Sequence, residues 1–355
     1  MQSPPAAQPN LEKNKVQIES GRTFWETLFF RFINATDFLF ARLQKMIGIK
    51  GMAYAFVIPN LLIFGIFILL PMLLNFGYAF TTGSSLFLEN REFIATANVE
   101  QLFQCEDLFD YRTCREDRFI RAVGNTFFYV IGQVSLMVSV SLLTAIVLNR
   151  KIVGRAFFRS VFFYPVLLSP IVVALLWRWI LQDNGILNAF IVGFGNFMTN
   201  FGFEPTERIS FLTQVGTAKI WVILISVWSQ MGFYTLILLA GLQAIPHDLY
   251  EAADMDGANE WRKFLNVTLP LLMPTMLVVL VLSLIRAVQV FDIVFAFTGG
   301  GPGTATLYLV QYIYQNGFVG DKRYGIAAAA SLVMAGTLIV LTLIQLALRS
   351  REGEF

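Results

Sequence analysis

The sequence predicts an all-α, polytopic membrane protein with six transmembrane helices. Of its 355 residues, 56% are hydrophobic and only 14% are charged, a balance more apolar than a soluble domain of this length requires. A helix of roughly 20 apolar residues crosses a bilayer core about 30 Å thick. Six stretches have this character: Met52–Phe80, Thr126–Leu148, Phe157–Leu181, Ala218–Leu242, Leu271–Phe297 and Gly325–Leu348.

Four prolines lie inside or beside these spans: Pro59, Pro71, Pro165 and Pro170. Within a membrane, neighbouring helices can satisfy the backbone groups that a proline frees. The sequence therefore predicts kinked helices at these positions rather than interrupted spans.

Lysine and arginine in the short loops predict the orientation. The connection after the second span carries four basic residues and no acidic one: Arg150, Lys151, Arg155 and Arg159. Such connections face the cytoplasm. Because six is an even number, the N-terminal arm (1–51) and the tail (349–355) are both expected there, on either side of the first span and a five-helix core (124–348).

The segment 81–123 is then an external loop, and its excess of acidic over basic residues agrees with this placement. It contains both cysteines of the chain, Cys105 and Cys114. Disulfides form in oxidising compartments outside the cytoplasm. The pair is therefore a candidate disulfide, and two independent thiols are the alternative.

The N-terminal arm mixes aromatic and charged residues over positions 24–46 and is too polar to span a membrane. An amphipathic helix on the inner membrane face and an ordinary packed cytoplasmic helix both fit this composition. The residues before Gly21 are polar and rich in proline, which favours disorder.

Several function classes are excluded by composition. The net charge is only +2 and the chain has a single histidine, His247. A nucleic-acid surface needs a concentrated basic patch, and a histidine-based metal or catalytic site needs more than one lone imidazole. We therefore expect no metal, no cofactor and no catalytic residue in this chain, with His247 on a surface loop.

The loop between the fourth and fifth spans, 243–270, predicts two short helices. Pro246 and Asp248 are typical of a helix start, Gly257 breaks the run, and a second piece follows over Glu260–Asn266. The loop forms a knob in which small residues allow close docking. A simple amphipathic loop helix would show the same periodicity.

The residues of this loop carry a resemblance. Glu251-Ala252-Ala253, Asp256-Gly257-Ala258, Trp261, Phe264 and Leu269-Pro270 closely resemble the EAA loop of permeases in binding-protein-dependent ABC importers. The resemblance implies a type I ABC importer permease fold, with the loop as a coupling helix seated in an ATPase subunit. It assigns that role to Glu251 as the polar contact, to Ala252 and Ala253 as close packing, and to Asp256 and Gly257 at the turn.

Two further stretches, Phe158–Asn188 and Phe295–Thr306, are similar to the carbohydrate branch of that family, the maltose and glycerol-phosphate type. The implied solute is a sugar or a sugar-like compound: an oligosaccharide, a glycoside or a polyol. The implied location is the cytoplasmic (inner) membrane of a bacterium or archaeon. The short external loop departs from the large external domain of the maltose permease, so the exact solute stays open.

The resemblance also implies partners. These are a second homologous permease, two copies of an ATPase subunit that uses ATP and Mg²⁺, and an extracytoplasmic solute-binding protein. The glycine run 299–303 could cradle a phosphate, but no lysine in the chain precedes Ser or Thr, so a Walker A motif is absent. The run is better interpreted as an external turn.

Polar residues in the two spans that flank the loop are candidates for the solute pathway, because such residues usually face an interior or a water-filled path. They are Ser226, Ser229, Gln230, Tyr234, Ser283, Arg286, Gln289 and Asp292. The candidate contacts are Ser226, Gln230, Phe233, Tyr234, Ser283 and Arg286. In the alternative, the serines bond their own helices and Arg286 pairs internally with Gln289 or Asp292.

Two other transport functions remain alternatives. One is an ABC permease for a non-sugar solute such as a polyamine or phosphate. The other is an ion-driven secondary transporter, which predicts carboxylate relays and inverted repeats. Asp292 is its only support, and no clear repeat is present. A membrane enzyme or a structural subunit would not explain the EAA pattern.

Overall fold

The computed structural model describes residues 24–107, 110–150, 152–201, 204, 206–320 and 322–352. The described part is mostly helical. Its helices are α1 (Phe24–Phe64), α2 (Leu70–Ala79), α3 (Ala97–Phe103), α4 (Asp117–Asn149), α5 (Arg155–Phe163), α6 (Pro170–Ile180), α7 (Ile186–Thr199), α8 (Val215–Gln243), α9 (Asp248–Met255), α10 (Glu260–Lys263), α11 (Leu269–Val288), α12 (Asp292–Phe297), α13 (Leu309–Phe318) and α14 (Tyr324–Glu352).

Short elements complete the chain. Two π-helical turns, Gly65–Leu69 and Phe264–Thr268, join α1 to α2 and α10 to α11. Single 3₁₀ turns lie at Leu88–Asn90, Tyr111–Thr113 and Tyr164–Leu167. The strands β1 (Thr81–Thr82) and β2 (Glu92–Phe93) pair antiparallel.

Five helical stretches in the described residues are long and apolar enough to cross a membrane. They are Gly51–Ala79, Asp117–Asn149, Val215–Gln243, Glu260–Val288 and Tyr324–Ala347. These correspond to five of the six predicted spans. A sixth crossing is present only if a bent pair of helices counts as one span.

The third predicted span, Phe157–Leu181, is not a straight helix. Its two halves, Arg155–Leu167 and Pro170–Ile180, meet at 99°. The bend follows from Pro170, since the residue before a proline is forced out of the helical region and Ser169 is extended at φ −60°, ψ 133°. The expected kink is therefore a corner.

The fifth predicted span, Leu271–Phe297, is wrong at both ends. Its helix begins earlier, at Glu260, and ends at Val288. After a break over residues 289–291, α12 begins as a separate helix. Hydropathy alone did not reveal this break because the flanking residues remain apolar.

The chain divides into two compact units, residues 1–74 and 75–355. In the first unit, α1 contains a non-helical residue, Gly48 (φ 70°, ψ 174°), so two helices meet there. Pro59 lies within α1. The disorder predicted before Gly21 falls outside the described residues, as do the last three residues of the predicted tail.

In the second unit, α4 and α8 pack along each other and form the centre. Buried residues of both helices share one apolar cluster with α11, including Met137, Leu238 and Val279. At Gly232, α8 packs directly against the backbone of α5. A Cβ on Gly232 would lie 2.3 Å from the carbonyl oxygen of Phe162. Glycine is required here because any side chain would displace α5.

The segment 81–123 is held together by polar contacts. Arg91 is buried and donates from Nε to Thr81 Oγ1 at 2.8 Å and from Nη1 to the Ser85 carbonyl at 3.0 Å. The Asn98 amide donates to the Ala79 carbonyl at 2.8 Å. Cys105 and Cys114, the pair left open by the sequence, are joined in a disulfide.

Beside this disulfide, the buried carboxylate of Glu116 joins the segment 81–123 to α13 and to the start of α14. It accepts from Gln101 Nε2 (2.8 Å), from the Tyr312 hydroxyl (3.0 Å) and from Arg323 Nη1 (3.2 Å), and forms an ion pair with Arg323. Burial alone would raise the pKa of Glu116, but the bonds from Arg323, Gln101 and Tyr312 outweigh it and the pKa is lowered.

We expect Glu116→Gln to lower the stability of the chain by about 1–2 kcal/mol at pH 7, since it leaves Arg323 unpaired at a half-exposed site. Because the folded-state pKa lies below the ordinary 4.5, this stabilisation is present at neutral pH and is lost as the pH falls through the lowered value. Apparent melting midpoints in detergent at pH 7 and pH 4 test this. Glu106→Gln, at an exposed position, is the control, and an equal effect of both variants would contradict the assignment.

Gly232→Ala is expected to lower the apparent melting midpoint strongly, because its Cβ would collide with the backbone of Phe162 and Phe163. The matched control is Gly216→Ala in the same helix, where a Cβ would meet nothing within 4 Å. Equal midpoints for the two variants would show that α8 does not approach α5 this closely.

Candidate functional site

The EAA loop forms the two helices that the sequence predicts. α9 runs over Asp248–Met255 and is followed by Gly257 at φ +71°, a left-handed conformation that favours glycine. The Asn259 side chain then caps α10 by accepting from the Arg262 backbone at 2.9 Å. The loop thus folds as two short helical pieces joined by a glycine turn, and the second piece has a side-chain cap.

Two contacts fix α9 against the start of the following span. Lys263 Nζ lies 2.6 Å from Asp254 Oδ1 of α9, and it also lies 2.6 Å from Glu260 Oε1 within α10. The Tyr250 hydroxyl and Thr268 Oγ1 are 3.0 Å apart. These bonds tie both helical pieces together, so α9 moves with α10 and α11 rather than alone.

The outer face of α9 is unoccupied by the rest of the described chain. Glu251, Ala252, Asp256 and Gly257 are exposed, and Ala253 is half-buried beneath them. Glu251 forms no ion pair with any described residue, unlike its neighbour Asp254. The face therefore offers two carboxylates without an ion pair in the described chain, Glu251 and Asp256, beside a small-residue surface.

A cavity of about 520 Å³ lies behind this loop. Its walls come from α4, α8 and the segment from α9 into α11: Leu143, Ile146, Asn149, Arg150, Leu242, Tyr250, Glu260, Trp261, Lys263, Phe264 and Thr268. Because of this cavity, the loop packs only partly against the ends of α4 and α8 that carry Asn149 and Leu242.

A second cavity, of about 460 Å³, brings together some of the predicted pathway residues. It lies where the two irregular parts of the chain meet, the start of α6 and the break between α11 and α12. Its lining is Pro170, Gln230, Leu282, Ile285, Arg286, Gln289, Val290, Phe291, Asp292 and Ile293.

Gln230 and Arg286 are the two predicted contacts that line this cavity. Gln230 Oε1 is buried and has no hydrogen-bond partner among the described residues. The Arg286 guanidinium lies 5.7 Å from the centre of the Phe233 ring, a cation–π contact. In the described chain neither Arg286 nor Asp292 forms an ion pair, so the internal pairing considered from the sequence is not observed.

The structure places the other candidates elsewhere. Ser226 and Ser283 are fully buried, and each donates to a carbonyl of its own helix, at 2.7 Å and 3.0 Å. Tyr234 is also fully buried, and its hydroxyl has no partner in the described residues. None of these three lines the cavity.

Sequence reasoning did not select Pro170, Gln289, Phe291 and Asp292 as contacts. Gln289 and Asp292 were visible as polar residues near the end of an apolar run, which is the signal that could have found them. Phe291 and Pro170 carried no such signal, because their role depends on the two breaks in the helices.

Residues 137–353, more than half of the chain, match the family model described as binding-protein-dependent transport system inner membrane component. The chain belongs to this family. The long apolar helices in the described residues agree with a multi-pass protein of the inner membrane. The matched region contains the EAA loop and the residues that line the second cavity.

Curated relatives extend the match over most of the chain. The arabinooligosaccharides transport system permease protein AraP of Bacillus subtilis is 32% identical, with 86% of this chain and 91% of the relative covered. The trehalose/maltose transport system permease protein MalF of Thermococcus litoralis is also 32% identical, over 83% of this chain and 92% of the relative.

Solved structures show the same architecture. One is a crystal structure of a bacterial ABC transporter involved in the import of the acidic polysaccharide alginate, with a TM-score of 0.70, 28% identity and coverage of 87% of this chain and 99% of that one. A bacterial alginate ABC transporter in complex with an alginate pentasaccharide-bound periplasmic protein matches with a TM-score of 0.67, 27% identity and coverage of 86% and 96%. The chain is therefore a permease component of a binding-protein-dependent transport system, with the ABC importer fold.

Proposed function

We propose that this permease is one half of the membrane channel of an ATP-driven importer for a sugar or sugar-like solute, and that its EAA loop couples it to the ATPase. The observation that carries the coupling role is the outer face of α9. That face presents the exposed Glu251 carboxylate, which has no ion pair in the described chain, on a helix held in place through Asp254 and Tyr250. A free carboxylate on a fixed helix suits docking to a basic or amide-lined cleft.

ATP and Mg²⁺ would then be bound by a separate subunit, present in two copies. This permease supplies the docking helix and no catalytic group. Because α9 is fixed to α10, which continues through a π turn into α11, movement of the ATPase would pass directly into a transmembrane helix. The single helical stretch Glu260–Val288 has 29 residues, a length of about 44 Å at 1.5 Å per residue.

A second, homologous permease would complete the pathway. Arg286 and Asp292 are exposed in the single chain, and a charged side chain at such depth is not presented to hydrocarbon. These residues therefore face either water or another protein subunit. A second half placed opposite the cavity would satisfy both requirements by enclosing an aqueous path.

The solute class rests on the cavity chemistry and on the relatives. Amide, guanidinium and carboxylate groups line the cavity together with the Phe291 ring, and such a mixture suits the hydroxyl groups and apolar faces of a sugar. The relatives transport arabinooligosaccharides and trehalose or maltose, and the structural neighbours import alginate. An extracytoplasmic binding protein would deliver the solute, and closure of the ATPase pair would open the cavity outward.

The coupling role predicts the effect of Glu251→Lys. The complex is purified by affinity from its native membrane in mild detergent, and the subunits that accompany the permease are identified. We expect the variant to lose at least about 90% of the ATPase subunit, because a reversed charge opposes the docking contact. Glu106→Lys, in the external loop, should retain it. Recovery of equal amounts with both variants would contradict the coupling assignment.

The pathway role predicts the effects of Gln230→Ala and Arg286→Ala. With the complete complex in proteoliposomes, we expect each variant to reduce ATP-dependent uptake about tenfold, because a lost bond to a buried polar group costs about 1–3 kcal/mol. Ser283→Ala, which removes only a bond within its own helix, is the control. The solutes tested for uptake are neutral glucose oligomers and uronate oligomers of two to five units. Uptake without ATP would instead favour an ion-driven transporter.

A further inference from the structure

Four aromatic rings form a continuous series beside the 460 Å³ cavity, and we call this series the aromatic track: Phe291, Phe295, Tyr314 and Phe318. Tyr314 and Phe318 are four positions apart on one face of α13, while Phe291 directly precedes α12 and Phe295 lies within it. The first pair stacks at 5.3 Å between ring centres and the second at 5.8 Å. Tyr314 connects them, at 5.1 Å from Phe291 and 5.6 Å from Phe295.

The aromatic track has one end in the cavity and the other at the surface. Phe291 is part of the cavity lining. At the opposite end Phe318 is 72% exposed, and Phe295 beside the middle of the track is 46% exposed. The rings therefore lead from the surface of α13 to the group of polar residues around Arg286, with aromatic surface accessible along the way.

Polar groups accompany the rings. The Tyr314 hydroxyl donates no hydrogen bond to any described residue and is free to bind a ligand. Asp292, next to Phe291, is exposed and unpaired in the described part of the chain. An unpaired carboxylate is not turned toward lipid, so this face of the aromatic track borders water or protein rather than hydrocarbon.

Rings that alternate with free polar groups match the two surfaces of a carbohydrate. The apolar C–H face of a pyranose ring stacks on an aromatic face, while its hydroxyl groups bond to the polar groups at the edge. Single aromatic residues in a lipid-facing helix would need no such polar companions. A row of four rings further suits a ligand with several sugar units.

We propose that the aromatic track binds successive pyranose rings of an oligosaccharide and guides the chain from the external side into the cavity. This inference rests on the proposed function, because it takes the cavity as the solute pathway. It adds a second binding region outside the cavity and names its ligand as an extended oligosaccharide rather than a monosaccharide.

The test compares aromatic with aliphatic side chains at the exposed end of the track. The assembled importer with its binding protein is reconstituted in proteoliposomes, and uptake is measured for glucose oligomers and uronate oligomers of two to five units. The variants are Phe318→Leu, Phe318→Trp and Tyr314→Phe. Phe93→Leu, at an exposed position of β2, is the matched control.

We expect Phe318→Leu to reduce uptake of the tetramer and pentamer about three- to tenfold, the range that corresponds to one lost aromatic contact. Dimer uptake should change less than about twofold, since a dimer can occupy the cavity without the track. Phe318→Trp should preserve long-chain uptake because it keeps the ring, and Tyr314→Phe should have an intermediate effect.

Three outcomes would overturn this inference. Equal uptake of all lengths by Phe318→Leu and Phe93→Leu would show that the rings do not touch the solute. Loss of the second permease from the purified Phe318→Leu complex would identify the rings as a subunit contact. Failure of the unmodified importer to take up any of these oligomers would refute the proposed function itself. This outcome is distinguished from the other two because it is measured on the importer without any substitution.

Discussion

The bilayer leaves the backbone no water to bond with, and the rest of the architecture follows from this constraint. Regular helices satisfy it over five long spans. Where the helices break, at residues 168–169 and 289–291, the freed groups need protein or trapped water. Both breaks border the same cavity, through Pro170 on one side and Gln289 and Phe291 on the other. The irregular backbone thus lies where a solute path can supply water.

The same constraint explains which features the sequence could predict. Long apolar runs identify spans because helix is the only solution for a lipid-exposed chain, and five spans were confirmed. The EAA loop was located because its glycine, prolines and small residues act locally. The break after Val288 was missed because no proline or glycine marks it; only the packing of α12 against other elements favours it. Pro170 indicated a disturbance of the helix near Ser169, but a run of apolar residues does not show how sharply the chain bends there.

The candidate site shows a similar division. Gln230 and Arg286 could be selected because isolated polar residues in apolar spans are costly unless they have a function or a partner. Ser226 and Ser283 gave the same signal and turned out to bond within their own helices, which short hydroxyl side chains readily do. The Glu116–Arg323 pair joins residues 207 positions apart, so its existence depended on knowing the fold. Sequence patterns reveal local chemistry, and they leave long-range partners undetermined.

The disulfide between Cys105 and Cys114 also has a meaning for biogenesis. It can form only after its segment has left the reducing cytoplasm, so it serves as a topological marker independent of the basic residues near Arg150. Both markers favour the same insertion, with the acidic segment translocated and the arginine-rich connection retained. A chain inserted upside down would keep both cysteines in the reducing cytoplasm, where they would stay free thiols.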